Sequence, residues 1–357
     1  MLCDTLQQYN KFVIYGAQVI AYGAYIAIKE LTGREPEAFV VTSLTGNPSS
    51  IDGIPVIEAS ALTKETFVVV AVTELIQKEL IPFLQAQGIE DYFVLTQHEE
   101  FLLMSEYYKA IGRFDYIKGK DELSQPLASG DIVATDFAIY EVSNHRDKLL
   151  SQHPDLKPYE ISIQAGAALA EPMAVKAFDN TGVNISYKNK QYCEMSASYW
   201  VWKNTSHAWK GIEHYRRHMM VAPSYVADDI DVFLPLPYIC YPDTMHQFGR
   251  FVSEGVKQLL FDALKALHQA EYEDYCKILH GPYQYTYNLL VARRQVFDDY
   301  CTWFFQITEY MEQFGDVVPD IRDTRALSYV AEVLTNLYFM YHYDSLKICH
   351  VEKEIYC

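Results

Sequence analysis

The sequence predicts an α/β protein of two domains, and three observations carry that reading. Over the first hundred residues, short runs of β-branched and aromatic residues alternate with longer segments of helical apolar spacing. Farther on, extended apolar runs stop at small polar residues, as strands of an open sheet do. Half of the 357 residues are hydrophobic and 21% are charged, a balance suited to a packed core rather than a disordered chain.

In chain order, "KFVIY" (11–15) reads as a buried strand. "GAQVIAYGAYIAIKELTG" reads as a helix that stops at Gly33, a residue free to adopt the left-handed C-cap conformation. Strands "AFVVT", "IPVI", "FVVVAV" and "YFVLT" follow, with helix "ELIQKELIPFLQAQG" before the last of them. This alternation implies a parallel sheet with crossover helices. Helix "HEEFLLMSEYYKAIGRF" closes the first domain, placed at 1–115. A polar Gly/Ser/Pro-containing linker is placed at 116–130, and a second domain at 131–357, beginning near Asp131.

The first strand–helix turn is where a dinucleotide fold holds a pyrophosphate. Gly16 fits its first glycine position, but Gln18 and Ala21 stand in the other two. Thr42 and Ser43 stand where a ribose-binding acid belongs. NAD binding is therefore a minor alternative. The pieces "VIYGA" and "NPSSIDGIPVI" resemble Rossmann-like domains, of nucleoside-diphosphate-sugar or CoA-binding type, that are fused to bacterial polysaccharide enzymes.

In the second domain the strand Phe137–Val142 ends at Ser143, Asn144 and His145, and "ISIQ" ends at Gln164. Ligands collect beyond such strand ends, so these residues are candidate nucleotide neighbours, with a plain loop as the equal alternative. Tyr192, Met195, Tyr199 and Trp202 are spaced three, four and three apart, one face of a helix beginning at Asn189 or Gln191. Glu194 then falls near its first turn, where the helix dipole would favour a surface carboxylate. After a short strand, Trp209–Ile212, comes "EHYRRH". The guanidinium fork matches phosphate oxygens. If the segment stays extended, His214 and Arg216 share one face, and Arg217 points away towards an ion pair.

These cations stand out because the chain carries 29 Lys+Arg against 47 Asp+Glu, a net charge of −18. So acidic a protein argues against a nucleic-acid partner. Seven scattered cysteines without a CxxC pair suggest a reducing compartment. Neither a signal-peptide pattern nor a spanning apolar run is read in the sequence. A cytoplasmic location is expected, with peripheral contact at the inner face of the membrane left open.

The pieces "NISYKNKQYCEMSASYWVWKN", "GIEHYRR", "DVFLPLP" and "YNLLVARRQVFDDYCTWFF" resemble a bacterial capsular-polysaccharide glycosyltransferase family marked by an HYRR motif. The resemblance runs from about Asp136 to the end. It implies a GT-A-like fold, a nucleotide-sugar donor (UDP-galactose is a frequent family attribution) and a glycan or lipid-linked glycan acceptor. It carries Asn184, Tyr192 and Glu194 onto the first motif, His214, Arg216 and Arg217 onto the second, and Asn288, Arg325 and Glu332 onto later positions. Arg325 and Glu332 lie two helical turns apart and share a face if that segment is helical. The chain departs from the family pattern at His218, Gln284, Tyr285, Ser328 and Val333.

The expected function is transfer of a hexose to a surface polysaccharide. His214, Arg216 and Arg217 would hold the donor diphosphate, and Ser143, Asn144, His145, Gln164, Asn184, Tyr192, Asn288 and Arg325 would line the nucleotide and sugar. Glu332, then Glu194, then Asp243 are the candidates for a base. Asp229 and Asp231 form an Asp-x-Asp pair, but at the wrong end of a strand. No metal ligand is assigned, while Mn or Mg remains an open option. A non-catalytic nucleotide-sugar sensor is the alternative. Donor sugar, stereochemistry and oligomeric state are not encoded legibly.

Overall fold

The computed structural model describes residues 2–120, 136–152, 154–226 and 229–357. The chain divides into two compact units. One comprises the residues up to Ile117 together with Leu236–Pro242, the other Lys118–Pro235 and Asp243–Cys357. Of the linker expected at 116–130, residues 117–118 form a short strand, β7 (Ile117–Lys118). Its remainder from 121, and the expected start at Asp131, lie outside the described residues.

The first unit has the expected α/β alternation. Strands β1 (Phe12–Tyr15), β2 (Phe39–Val41), β4 (Ile54–Glu58), β5 (Phe67–Val70) and β6 (Tyr92–Val94) are parallel. β3 (Ser50–Ile51) runs antiparallel to β4, giving the order β3-β4-β2-β1-β5-β6. β1 and β5 are buried along their whole length, as their unbroken apolar runs require. Helix Val19–Thr32 presents Ala21, Ala24, Tyr25, Ala27 and Ile28 inward and ends at Gly33 with φ 70°. A Cβ on Gly16 would meet the Ala71 carbonyl at 2.6 Å, so only glycine lets β1 turn this close to β5. Gln18 reaches Asn47 at 3.4 Å across the strand ends.

Leu236–Pro242, with β14 (Tyr238–Ile239), belongs to this unit although Lys118–Pro235 of the other unit lies between in the chain. Tyr108 donates its hydroxyl to the Pro237 carbonyl at 2.8 Å, and the Tyr22 and Tyr241 rings lie 5.1 Å apart. Apolar periodicity cannot show such a return, because it reports local order only.

The second unit is built on a mixed sheet. Its strands are β8 (Phe137–Ser143), β9 (Glu160–Gln164), β10 (Ala177–Phe178), β11 (Trp209–His214), β12 (Arg217–Met219), β13 (Val232–Pro235), β16 (Leu290–Arg293), β17 (Ile348–Val351) and β18 (Lys353–Ile355). β15 (Tyr283–Gln284) lies outside it. The order β10-β9-β8-β11-β16-β13-β17 is parallel from β10 to β11, and β16 runs against both its neighbours. A Cβ on Gly211 would lie 2.6 Å from Val291 Cγ2, so glycine admits β16 beside β11. One face packs Phe137, Ile139, Trp209, Phe233, Val291 and Val351 into a common core. Helix Arg294–Glu312 buries Phe297, Tyr300, Phe304 and Phe305, each such ring contributing about 2–3 kcal/mol of transfer energy.

Two local expectations change. The helix through Tyr192 and Trp202 is broken at Cys193 (φ 47°, ψ −127°) into Asn189–Tyr192 and Met195–Asn204. The aromatic stripe still meets a common partner. The rings of Tyr192, Tyr199 and Trp202 lie 6.1, 4.9 and 5.6 Å from Phe305. The piece "YNLLVA" reads as a strand in the sequence, yet Asn288 and Tyr287 adopt left-handed φ of 53° and 72° and form the turn before β16.

Candidate active site

The site develops at the carboxyl ends of the parallel strands of the second unit. β11 does not continue extended through "EHYRRH". His214 pairs directly with Arg217 across a tight reversal, with Tyr215 and Arg216 at its tip. Paired residues of an antiparallel hairpin project to the same face. His214 therefore shares a face with Arg217, correcting the expectation that Arg217 points away into an ion pair. Tyr215 is buried and packs on His214 at 4.6 Å, while its N–H donates to Val142. The Arg216 carbonyl accepts from Tyr356 N–H at 2.8 Å, which pins the tip.

Among the described residues, His214 Nδ1, Arg216 Nε and Arg217 Nε are all buried without a hydrogen-bond partner. Such donors are costly in an apolar setting, and here they converge on one hairpin. The Arg217 guanidinium lies 4.3 Å from the centre of the Tyr287 ring. Burial, reinforced by the charges of Arg217 and Arg216, pushes the His214 imidazole down to about 3. At neutral pH it is an uncharged hydrogen-bonding group, and the arginines carry the positive charge.

Facing them are three carboxyl groups. Asn288 donates to Glu194 Oε1 at 2.9 Å and accepts from Thr335 at 3.0 Å, and Thr335 meets Tyr300 at 2.7 Å. Glu194 is thus a half-buried, hydrogen-bonded group rather than a free surface carboxylate. Glu332 lies on helix Ala326–Tyr341, and burial, then the nearby Glu194 charge, pushes it up to about 7. Arg325 stands at that helix's N-cap, and its charge acts on both Glu332 and His214. The condition that this segment be helical is met. Asp147, passed over in the sequence, accepts from Asn144 N–H at 2.7 Å. Burial raises it to about 6 against the opposing charges of Arg216 and Arg217. Its only sequence signal is its place three residues after Asn144.

The other candidates divide by what their polar atoms do. Ser143 is half-buried and His145 exposed at the end of β8. Asn144 bridges Ala165 O and Asn189 Oδ1, and Gln164 bonds Glu171 O and Met173 N. Asn184 closes its own turn through Gly182 and Ser186, and Tyr192 is buried against Phe305. Asp179 organises this rim. It is fully buried and accepts from Gly166 N, Ala167 N, Ser186 Oγ and Ser196 Oγ at 2.5–3.0 Å. Asp243 caps a helix through His246 N–H at 2.6 Å.

Among the described residues, Glu160, Glu213 and His218 are the one group of metal-ligating side chains within 4.8 Å of one another. They are paired already, Glu160 with Lys157 at 3.1 Å and Glu213 with His218 at 3.3 Å. Asp231 accepts from Lys347 N–H and lies 3.5 Å from Arg293, beside the start of β13. β13 runs parallel to β11 through β16, so Asp229 and Asp231 stand at the end of the sheet opposite the hairpin. The departures from the family pattern are all buried: His218, Gln284, Tyr285, Ser328 and Val333 are 1–4% exposed.

The profile of a family described as a domain of unknown function, DUF4422, matches residues 138–343, more than half of the chain. The chain belongs to the DUF4422 family. The matched span of this DUF4422 protein holds the hairpin, Asp147, Glu194, Asn288, Arg325 and Glu332. Its fold is similar to that of the bifunctional glycosyltransferase WbbM in its apo form, with a TM-score of 0.54 and 21% identity. The likeness covers 62% of this chain and 45% of WbbM, so the chain corresponds to less than half of that protein's length. The architecture is therefore that of a glycosyltransferase-like α/β fold. No curated protein matches the chain.

Proposed function

We propose that the second unit is a glycosyltransferase that moves a hexose from a UDP-sugar, galactose in the first instance, to a glycan or lipid-linked glycan of the cell surface. The observation that carries the reading is the set of buried nitrogens of His214, Arg216 and Arg217 on a single hairpin, without a partner among the described residues. A departing nucleoside diphosphate gains negative charge, and preorganised guanidinium groups stabilise it without reorganisation. Neutral His214 adds a hydrogen bond.

In an inverting transfer, the acceptor oxygen forms its bond to the sugar's anomeric carbon as the bond to the diphosphate oxygen breaks. The hydroxyl proton passes to Glu332, whose value near 7 suits a base at physiological pH. The charge of Glu194, which Asn288 fixes, raises the proton affinity of the Glu332 carboxylate and so favours its taking the proton. The cations take the place a divalent metal would hold at the diphosphate.

The test is release of UDP and sugar transfer from a panel of UDP-sugars, with EDTA and with Mn²⁺. Arg216→Ala is expected to lower turnover about 100-fold or more while the melting curve is retained. Unchanged turnover in this variant, or activity that EDTA abolishes and Mn²⁺ restores, overturns the clamp. Binding of a UDP-sugar with no UDP released identifies a sensor instead.

A further inference from the structure

The Phe251 ring is 51% exposed and stacks on Tyr329, with centroids 5.1 Å apart and planes inclined by 15°. Two large rings held face to face at a surface are poised for a flat apolar partner. Tyr329 lies on the helix of Glu332 and precedes it by three residues, a rise of about 4.5 Å. Arg325 lies one turn before Tyr329, its guanidinium 4.9 Å from the centre of that ring. Arg325, Tyr329 and Glu332 thus form one stripe along the helix. The charge of Arg325 also reaches His214. The stack therefore stands one helical turn from the proposed base.

We infer that Phe251 and Tyr329 form the acceptor subsite, against which a pyranose ring of the glycan lays its C–H face. The inference rests on the glycosyltransferase reading and names where its second substrate sits. A pyranose has an apolar face and a rim of hydroxyls. Stacked rings serve the face, and the Arg325 N–H groups serve the rim. Phe251 comes from the loop between helices Thr244–Phe248 and Glu254–Leu267, so its ring can be changed without touching the buried core.

Saturation-transfer NMR with octyl β-D-galactopyranoside and octyl β-D-glucopyranoside, in the presence of UDP, tests this directly. Octanol serves as the control for the alkyl chain. The wild type is expected to transfer saturation to the pyranose C–H protons of at least one glycoside. Phe251→Ala and Tyr329→Ala should each weaken that binding roughly fivefold, the equivalent of one stacking contact, and Phe251→Tyr should restore it. Calorimetric affinity for the UDP-sugar, measured separately, should stay within about twofold in all variants. Three outcomes overturn the subsite: no ring saturation in the wild type, ring signals unchanged in both alanine variants, or equal loss of UDP-sugar affinity. Failure of the wild type to bind any UDP-sugar would instead refute the donor reading.

Discussion

Asn288 holds Glu194 by a 2.9 Å hydrogen bond from a backbone position with φ 53°. One residue thus supplies both an amide donor and a left-handed turn, a combination for which asparagine is suited. The two roles separate by substitution. Asn288→Gly keeps the turn and loses the amide, whereas Asn288→Ala loses both. Both should reduce transfer about tenfold or more, and the alanine variant should be less stable by about a further 1 kcal/mol in urea denaturation. Equal stability of the two would deny strain at this turn.

Glu332 gives a pH signature. Its carboxyl is raised in the folded protein from 4.5 to about 7, so the folded state holds the proton more tightly than the unfolded chain. The associated stability is complete below pH 4.5 and is lost as pH rises through 7. The gap is worth about 3 kcal/mol at 1.36 kcal/mol per pH unit. Glu332→Gln should flatten the fall in melting temperature between pH 5 and 8, by calorimetry. The wild-type rate should rise with pH through about 7, and a variant rate below 1% with no such rise is the expected companion.

Arg217 is expected to resist conservative change. Lysine keeps the charge but not the planar fork that lies on Tyr287. Arg217→Lys should raise the KM for the UDP-sugar by about tenfold with a small change in melting temperature. An unaltered KM would leave Arg217 as packing alone.

The buried pair Glu213–His218 lies at the base of the hairpin, on the strand positions just outside His214 and Arg217. Burial pushes the Glu213 carboxyl well up and the His218 imidazole down, so the pair is a buried polar contact, and His218→Ala should cost about 1–3 kcal/mol of stability. The double variant Glu213→Leu/His218→Leu removes both members of the pair and leaves only the Met219 N–H without its acceptor, so its cost should fall below the sum of the two single changes. A double-mutant cycle by denaturant melts measures the difference.

The α/β alternation of the first unit was legible because β1, β2 and β5 are buried along their whole length and read as unbroken apolar runs, while the helices between strands keep an apolar period. The pairing of His214 with Arg217 was not, since "EHYRRH" has no Gly or Asn-Gly signal for a tight reversal. The break at Cys193 was hidden for a similar reason, as a positive φ at cysteine has no sequence mark. Asp147 and the Phe251–Tyr329 stack owe their places to tertiary neighbours, which spacing does not reveal. Arg325 and Glu332 could be placed on one face because a helix converts a separation of seven into proximity.

The two-residue reversal at Tyr215–Arg216 makes chain length itself part of the recognition code. Side chains alternate faces along each arm, so one inserted or deleted residue here would turn the whole following arm over. Arg217 would exchange places with His218, sending a guanidinium into the buried acidic side of the sheet and a histidine into the cleft. This segment should tolerate no change in its count, so differences in length among relatives should fall elsewhere in the chain.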